Sequence, residues 1–266
     1  MRTQHKHVSI DYYSYVSGMR EWSAGFKVLF AAVVILMTLL SDSVFVSCIS
    51  FVYMSFMILK IGRIHLDDYF HLLKVPAAFI ILGAITILVQ FGQGDTICLI
   101  RLPVFSNYIY ITKDTLEQAV GLTCKAFAAV SGLYMMTLST PMGEIIAVCR
   151  KVHVPGLIVE LMYLIYRYIF ILSETNRQQM DAAKSRLGYI DFKTSLKTFS
   201  GAAANLLIIA VKKSSEFYDS MEARGYDGRI CFLEQNKSVT KKQVIYMAVY
   251  IVIVLLLFLF KQNFIV

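Results

Sequence analysis

Charge is scarce in this sequence. Asp, Glu, Lys and Arg together make up 17% of 266 residues, against 57% hydrophobic residues, a balance too apolar for a soluble domain and one that calls for surrounding lipid. Cysteine is scarce as well. Cys48, Cys98, Cys124, Cys149 and Cys231 are odd in number, scattered and never in a Cys-x-x-Cys pair, so neither a disulfide framework nor a zinc site is indicated, and they read as packing residues. The start of the chain has no cleavable signal: Met1 to Gly25 is polar and aromatic, without a short apolar core and a small-residue cleavage site, so the first apolar run is expected to remain as an anchor. A dense basic run is missing too. The net charge is +8, but Lys and Arg alternate with acids, which argues against a nucleic-acid partner.

What the sequence does have is apolar runs of about 16 to 24 residues, close to the length a hydrocarbon core demands of a helix. These are Ser23–Leu40, Val44–Leu59, Val75–Phe91, Thr115–Leu138 and Val244–Phe260. The first two form a hairpin, because Ser41-Asp42-Ser43 would otherwise put a charge in the middle of one overlong crossing. The expected fold is therefore an all-α integral membrane protein with about five transmembrane helices. Residues 1–138 form an N-terminal membrane region of four crossings, 139–242 a cytoplasmic region with two long helices, and 243–266 the last crossing.

Orientation follows Lys and Arg near the membrane. Fifteen of them lie between Ser139 and Lys242, from Arg150 to Lys242, whereas Gly92–Asp114 carries only Arg101 and Lys113. The first segment is expected inside and the second outside. That leaves the amino terminus and the loop Lys60–Lys74 cytoplasmic and the carboxyl terminus outside, with the protein in an inner or plasma membrane.

The insert reads as two long helices. Pro155 suits a first helical turn, Gly156–Arg186 follows, and Gly188 stands where a terminating glycine would. Glu160, Arg167, Glu174 and Asp181 recur at seven-residue steps along one stripe, with Glu174–Arg177 and Arg177–Asp181 at neighbour spacings. Leu157–Leu172 is apolar enough for a further crossing, but that would immerse Glu160 and Arg167, so a helix along the inner membrane face, in contact with lipid, is the favoured reading. The second helix is expected to start near Thr194 or Ser195, to carry Phe199, Ala203, Leu206, Ala210, Phe217 and Met221 on one face, and to end at Ala223-Arg224-Gly225.

The two helices thus end alike, in Ser185-Arg186-Leu187-Gly188 and Ala223-Arg224-Gly225. A small residue permits close approach, arginine offers a forked permanent charge, and glycine permits the left-handed turn that stops a helix. Ordinary capping would use the same residues, since arginine complements the helix dipole.

Other candidates are weaker. Lys125 lies within the fourth crossing, where an ionisable residue is a functional candidate, although packing or a subunit contact explains it equally. Asp67-Asp68 with His71 invites a magnesium–pyrophosphate reading, but no second acidic cluster supports an enzyme, and an amphipathic helix within the loop is the favoured reading. His5-Lys6-His7 lacks the ligands to complete a metal site, and Met135 and Met136 read as packing.

Val154-Pro155-Gly156-Leu157-Ile158-Val159-Glu160-Leu161-Met162, Tyr166-Arg167-Tyr168-Ile169-Phe170, Arg186-Leu187-Gly188-Tyr189 and Met221-Glu222-Ala223-Arg224-Gly225 together resemble the transmembrane T subunit of energy-coupling-factor transporters, in its cobalt-uptake branch. The resemblance implies a non-catalytic subunit of an ABC-type importer, with no cofactor of its own, since ATP is bound by partner subunits. It implies that the two helix ends dock into two ATP-binding-cassette ATPases, with Arg186 and Arg224 engaging them, Ser185 and Ala223 in close contact, and Gly188 and Gly225 as helix ends. It also implies a separate metal-capture membrane subunit, and a bacterial cell membrane as the location. The first signature departs from Ala-Arg-Gly, with serine for alanine and Leu187 before the glycine. The competing reading is a conventional permease that carries its own substrate, whose ATPase contact would be one compact loop instead of two long helices. Cobalt and nickel make similar ligand demands, so the ion rests on the resemblance.

Overall fold

A computed structural model describes residues 10–41, 43–88, 90–92, 98–104, 107–228, 230 and 237–265, with side chains described for these except 10, 90–111 and 260–265. The chain is an all-α integral membrane protein apart from one small sheet. In order it forms α1 (Ile10–Val16), α2 (Ala24–Leu40), α3 (Val44–Phe56), a π-helical turn (Met57–Ile61), α4 (Leu66–Leu88), β1 (Gln90–Gly92), β2 (Cys98–Val104), β3 (Asn107–Thr112), α5 (Lys113–Thr137), α6 (Met142–Lys151), α7 (Gly156–Ser185), α8 (Phe192–Glu222) and α9 (Lys241–Ile265). It divides into two compact units, residues 1–145 with 236–266, and residues 146–235.

The first unit is a helical bundle centred on α5, which packs on α2, α3 and α4, while α9 packs on α2 and α3. Its core joins Phe30, Ala31 and Val34 of α2, Val46 and Met54 of α3, Met135 of α5, and Tyr250 and Val254 of α9. Small buried residues, Ser47 and Ser50 on α3 and Ala128, Ser131 and Gly132 on α5, allow the backbones to approach, as close packing requires where lipid supplies no hydrophobic drive between helices. Hydroxyls fix the register. Tyr250 and Ser50 share a 3.0 Å hydrogen bond, and the Tyr53 hydroxyl donates to the Tyr246 carbonyl at 2.8 Å.

α4 shows how this bundle handles a missing donor. Pro76 lies inside the helix, and a proline has no N–H to give to the carbonyl four residues back. That carbonyl belongs to Leu72, and the Tyr134 hydroxyl of α5 donates to it at 2.9 Å. A polar group that lipid could not satisfy is thus satisfied by a neighbouring helix.

Two sequence expectations change here. The third apolar run was expected to begin at Val75 after a loop, but α4 begins at Leu66, with Asp67 and Asp68 in its first turn, where carboxylates favour the positive end of the helix dipole. The run was also expected to reach Phe91, yet Gln90–Gly92 is a strand in an antiparallel sheet of order β1-β3-β2. Leu102 pairs with Ile109 and Gln90 with Tyr110. Pro103 lies on β2, an edge strand of that sheet, where its missing N–H interrupts no central ladder.

Among the described residues six helices are long and apolar enough to cross a membrane: α3 with its π-helical turn, α4, α5, α7, α8 and α9; α2 is a shorter apolar helix. The protein is therefore multi-pass. Length and hydropathy do not separate α7 and α8 from the other crossings. α7 also carries Glu160, Arg167, Glu174, Arg177, Asp181 and Lys184, each costly in hydrocarbon.

The second unit contains an antiparallel hairpin of α7 and α8. The Gly188 carbonyl accepts from the Thr198 hydroxyl at 2.8 Å near the turn, Arg167 lies 4.8 Å from the centre of the Phe217 ring further along, and Glu160 meets Tyr226 and Ile230 at the far end. α8 begins earlier than expected, capped by Asp191 instead of Thr194 or Ser195: its carboxylate accepts the Thr194 N–H at 3.2 Å. The Thr194 side-chain hydroxyl, and after it this backbone N–H bond, hold the exposed Asp191 carboxyl below the usual carboxylate range. The expected apolar face of α8 also shifts. Leu206, Ala210, Phe217 and Met221 are half-buried, but Phe199 and Ala203 are exposed, and Thr198 and Ala202 take their places on the packed stripe. The Thr198–Gly188 bond selects that face.

Candidate coupling site

Both helix ends close in the same way. At the end of α7, the Gly188 N–H donates to the Ala183 carbonyl at 2.9 Å and the Leu187 N–H to Lys184 at 3.0 Å. At the end of α8, the Tyr226 N–H donates to Met221 at 3.0 Å and the Gly225 N–H to Glu222 at 2.9 Å. Each pair is a Schellman motif, with a left-handed residue just past the helix. That residue is Leu187 (φ 59°) in the first and Gly225 (φ 80°) in the second.

The structure therefore corrects how the two signatures align. Leu187 is no insertion ahead of the terminating glycine; it occupies the position of Gly225, and Gly188 occupies that of Tyr226. Arg186 and Arg224 each stand immediately before the left-handed residue. The two glycines serve different needs. A Cβ on Gly188 would lie 3.0 Å from both the Ala183 carbonyl oxygen and Thr198 Oγ1, whereas nothing lies within 4 Å of one on Gly225. Gly188 gives close approach to α8, and Gly225 gives backbone conformation.

Ser185, Arg186, Ala223, Arg224 and Gly225 are exposed, and Gly188 is half-buried. The Ser185 hydroxyl donates back to the Asp181 carbonyl at 3.0 Å, so it is spent within its own helix. Among the described residues neither Arg186 nor Arg224 has an ion-pair partner. Because α7 and α8 run antiparallel and span 30 and 31 residues, the two arginines lie at opposite ends of one rod, about 45 Å apart at 1.5 Å per residue. A bare, permanently charged fork at each tip can grip two separate acidic or carbonyl-lined grooves bidentately.

The charged stripe of α7 splits into two jobs. Glu174 pairs with Arg177 at 2.9 Å and Asp181 with Lys184 at 3.7 Å, exposed contacts worth little. Glu160 and Arg167 instead hold the hairpin together. Glu160 accepts from the Tyr226 hydroxyl at 3.3 Å and the Ile230 N–H at 3.2 Å, and Arg167 lies against Phe217, which also meets the Tyr168 ring edge-on at 5.2 Å. Partial desolvation and the Glu160 carboxylate push the Tyr226 phenol above its usual value. Glu160 thereby tethers the segment just past Arg224.

The remaining candidates fall elsewhere. Lys125 is half-buried on α5 beside Cys124, whose thiol lies 3.7 Å from that of Cys48. Asp68 lies with Tyr13 and His65 around a cavity of about 160 Å³, while His71 is exposed. His5-Lys6-His7 lies outside the described residues, and among the described residues no three His, Cys, Asp or Glu side chains converge as a metal site. Met135 is in the core. A lysine that the sequence reading passed over, Lys27, is fully buried, with its ammonium donating to the Ser139 carbonyl at 2.6 Å and the Met19 carbonyl at 3.1 Å. Its only sequence signal was a charge in the first turn of an apolar run, which also suits a side chain reaching for the interface.

Sequence comparison places the chain among transport proteins. The family model described as "cobalt transport protein", CbiQ, matches residues 16–239, and the chain belongs to this family. An uncharacterized protein of Methanocaldococcus jannaschii is 29% identical over 97% of this chain and 96% of its own length. A putative fused cobalt transport protein CbiMQ of Methanocorpusculum labreanum is 31% identical over 93% of this chain, which spans 41% of that longer protein. The cobalt transport protein CbiQ of Salmonella typhimurium is 22% identical over 62% of this chain and 74% of its own length. The chain is thus a multi-pass membrane component of a cobalt transport family, and its named relatives are cobalt transport proteins.

Proposed function

We propose that this chain is the transmembrane energy-coupling subunit of an ABC-type importer for cobalt ions. It takes ATP-driven motion from two cytoplasmic ATPase subunits at Arg186 and Arg224 and passes it to a separate membrane subunit that captures the metal. The observation that carries this reading is the matched pair of Schellman ends, each presenting an exposed arginine, without an ion-pair partner among the described residues, at one tip of a single rod. One rod with two handles suits a dimeric ATPase whose grooves move as it closes, since a displacement at either tip moves the whole hairpin. The fused relative supports a second component working beside this one, because the chain accounts for less than half of that protein. No ATP site is assigned to this chain, and its amino terminus and hairpin face the cytoplasm.

The test is Co²⁺ uptake in liposomes holding this chain, the ATPase pair and the capture protein. Arg186→Ala with Arg224→Ala should abolish ATP-dependent uptake; normal uptake by the double variant would sink the proposal. The hydropathy of α7 and α8 favours one competing topology, a hairpin that crosses the membrane and puts Arg186 outside. Leu187→Cys and Ala223→Cys, each introduced into a chain lacking its native cysteines, separate the two. An impermeant thiol reagent on the cytoplasmic side labels both positions if the hairpin lies along the inner face, and only position 223 if it crosses.

A further inference from the structure

The chain leaves the bundle unit after Ile145 and returns to it at Asn236. Both of these roots sit in a cluster of buried polar groups on the bundle side. Lys237, on the returning stretch, donates from Nζ to Glu144 Oε1 at 2.6 Å, on the departing one, and to the Arg20 carbonyl at 2.6 Å. Lys27 of α2 donates to the Ser139 carbonyl just ahead of Glu144, and to the Met19 carbonyl beside Arg20. The Glu144–Lys237 pair is largely shielded, with side chains 21% and 14% exposed, and Lys27 lies within the electrostatic reach of both.

Three further features mark this as a built joint. Thr140 and Gln243, at 2% and 1% exposure, flank the two roots. Thr140 Oγ1, Gln243 Oε1 and the second Glu144 oxygen are buried without a partner among the described residues, a cost that a merely structural connection would shed for apolar packing. The cluster also ties together three chain segments, the α1–α2 turn and both roots, through side-chain contacts to backbone carbonyls.

We propose that Glu144, Lys237 and Lys27 form a clamp that locks the two roots of the coupling hairpin to each other and to α2, so that motion of the hairpin is delivered to the membrane bundle instead of being lost in slack connections. This rests on the coupling role proposed above. Glu144 and Lys237 are positioning residues: they touch neither metal nor nucleotide, and their effect is on how much transport each ATP produces.

The experiment measures Co²⁺ uptake and ATP hydrolysis together in the reconstituted complex carrying Glu144→Gln with Lys237→Met, a pair that leaves no unmatched charge between them. Assembly with the ATPases and the hydrolysis rate should match the unaltered complex, while uptake per ATP falls about tenfold, the size of a typical coupling between sites. Hydrogen exchange should quicken in residues 139–145 and 237–243. A second variant, Glu144→Cys with Lys237→Cys, should couple poorly when reduced and recover once the two thiols are cross-linked, a rescue that a general loss of stability would not show. An unchanged uptake-to-hydrolysis ratio, or unchanged exchange at the roots, overturns the clamp. Absence of ATP-driven uptake in the unaltered complex overturns the coupling role itself, a different and separable failure.

Discussion

The bundle and the hairpin are held in different ways. In the bundle, Phe30, Val34, Met54 and Tyr250 are all sealed from solvent, and hydroxyls bridge helices where a backbone group lacks a partner. In the hairpin, α8 has no buried residue at all. Its alignment on α7 depends on a few placed contacts: Thr198 on Gly188, Phe217 against Arg167, and the tail past Arg224 on Glu160. A membrane protein can keep its bundle rigid by packing. A long exposed rod has to be kept straight by discrete joints, and those joints can be removed one at a time.

The contrast gives predictions in descending order of size. Lys27→Met leaves the Ser139 carbonyl without its donor, takes one of two donors from the Met19 carbonyl, and should destabilise the bundle by about 3 kcal/mol, measured as a lowered unfolding midpoint in detergent micelles, with hairpin exchange rates unchanged. Gly188→Ala forces its new methyl against Thr198 and should cost about 2 kcal/mol, read as faster hydrogen exchange in the α7–α8 turn; an unchanged turn would break the claim that this glycine serves close approach. Gly225→Ala meets no atoms and loses only its left-handed ease, about 1 kcal/mol, so it should fray the α8 end alone. Tyr134→Phe orphans the Leu72 carbonyl and should lower bundle stability by about 1 kcal/mol. Leu187→Gly relieves a strained backbone and should firm the α7 end by about 0.5 kcal/mol, the one substitution expected to stabilise.

Much of this was legible in the sequence. The apolar runs mark α2, α3, α5 and α9 because their signal is local composition, and both arginine ends stand out for the same reason. What escaped depends on tertiary partners. Gly188 looked like the residue that stops α7, but Thr198 makes its missing side chain necessary for another purpose, so the left-handed turn falls to Leu187. The start of α4 at Leu66 was hidden because Asp67 and Asp68 read as a separate loop helix, although a helix dipole welcomes them in the first turn of α4 itself. Lys27 looked like an interfacial lysine, since nothing local announces that Ser139, far along the chain, supplies its acceptor.

The Pro76–Leu72–Tyr134 arrangement has a consequence for the history of the sequence. The phenol is needed because the proline is there, and the proline is tolerable because the phenol is there. Among descendants of a common ancestor, position 134 should therefore be free to lose its hydroxyl only where position 76 has regained an amide hydrogen. Two sites on different helices should then vary as a pair, a signature readable in an alignment without any biochemical assay.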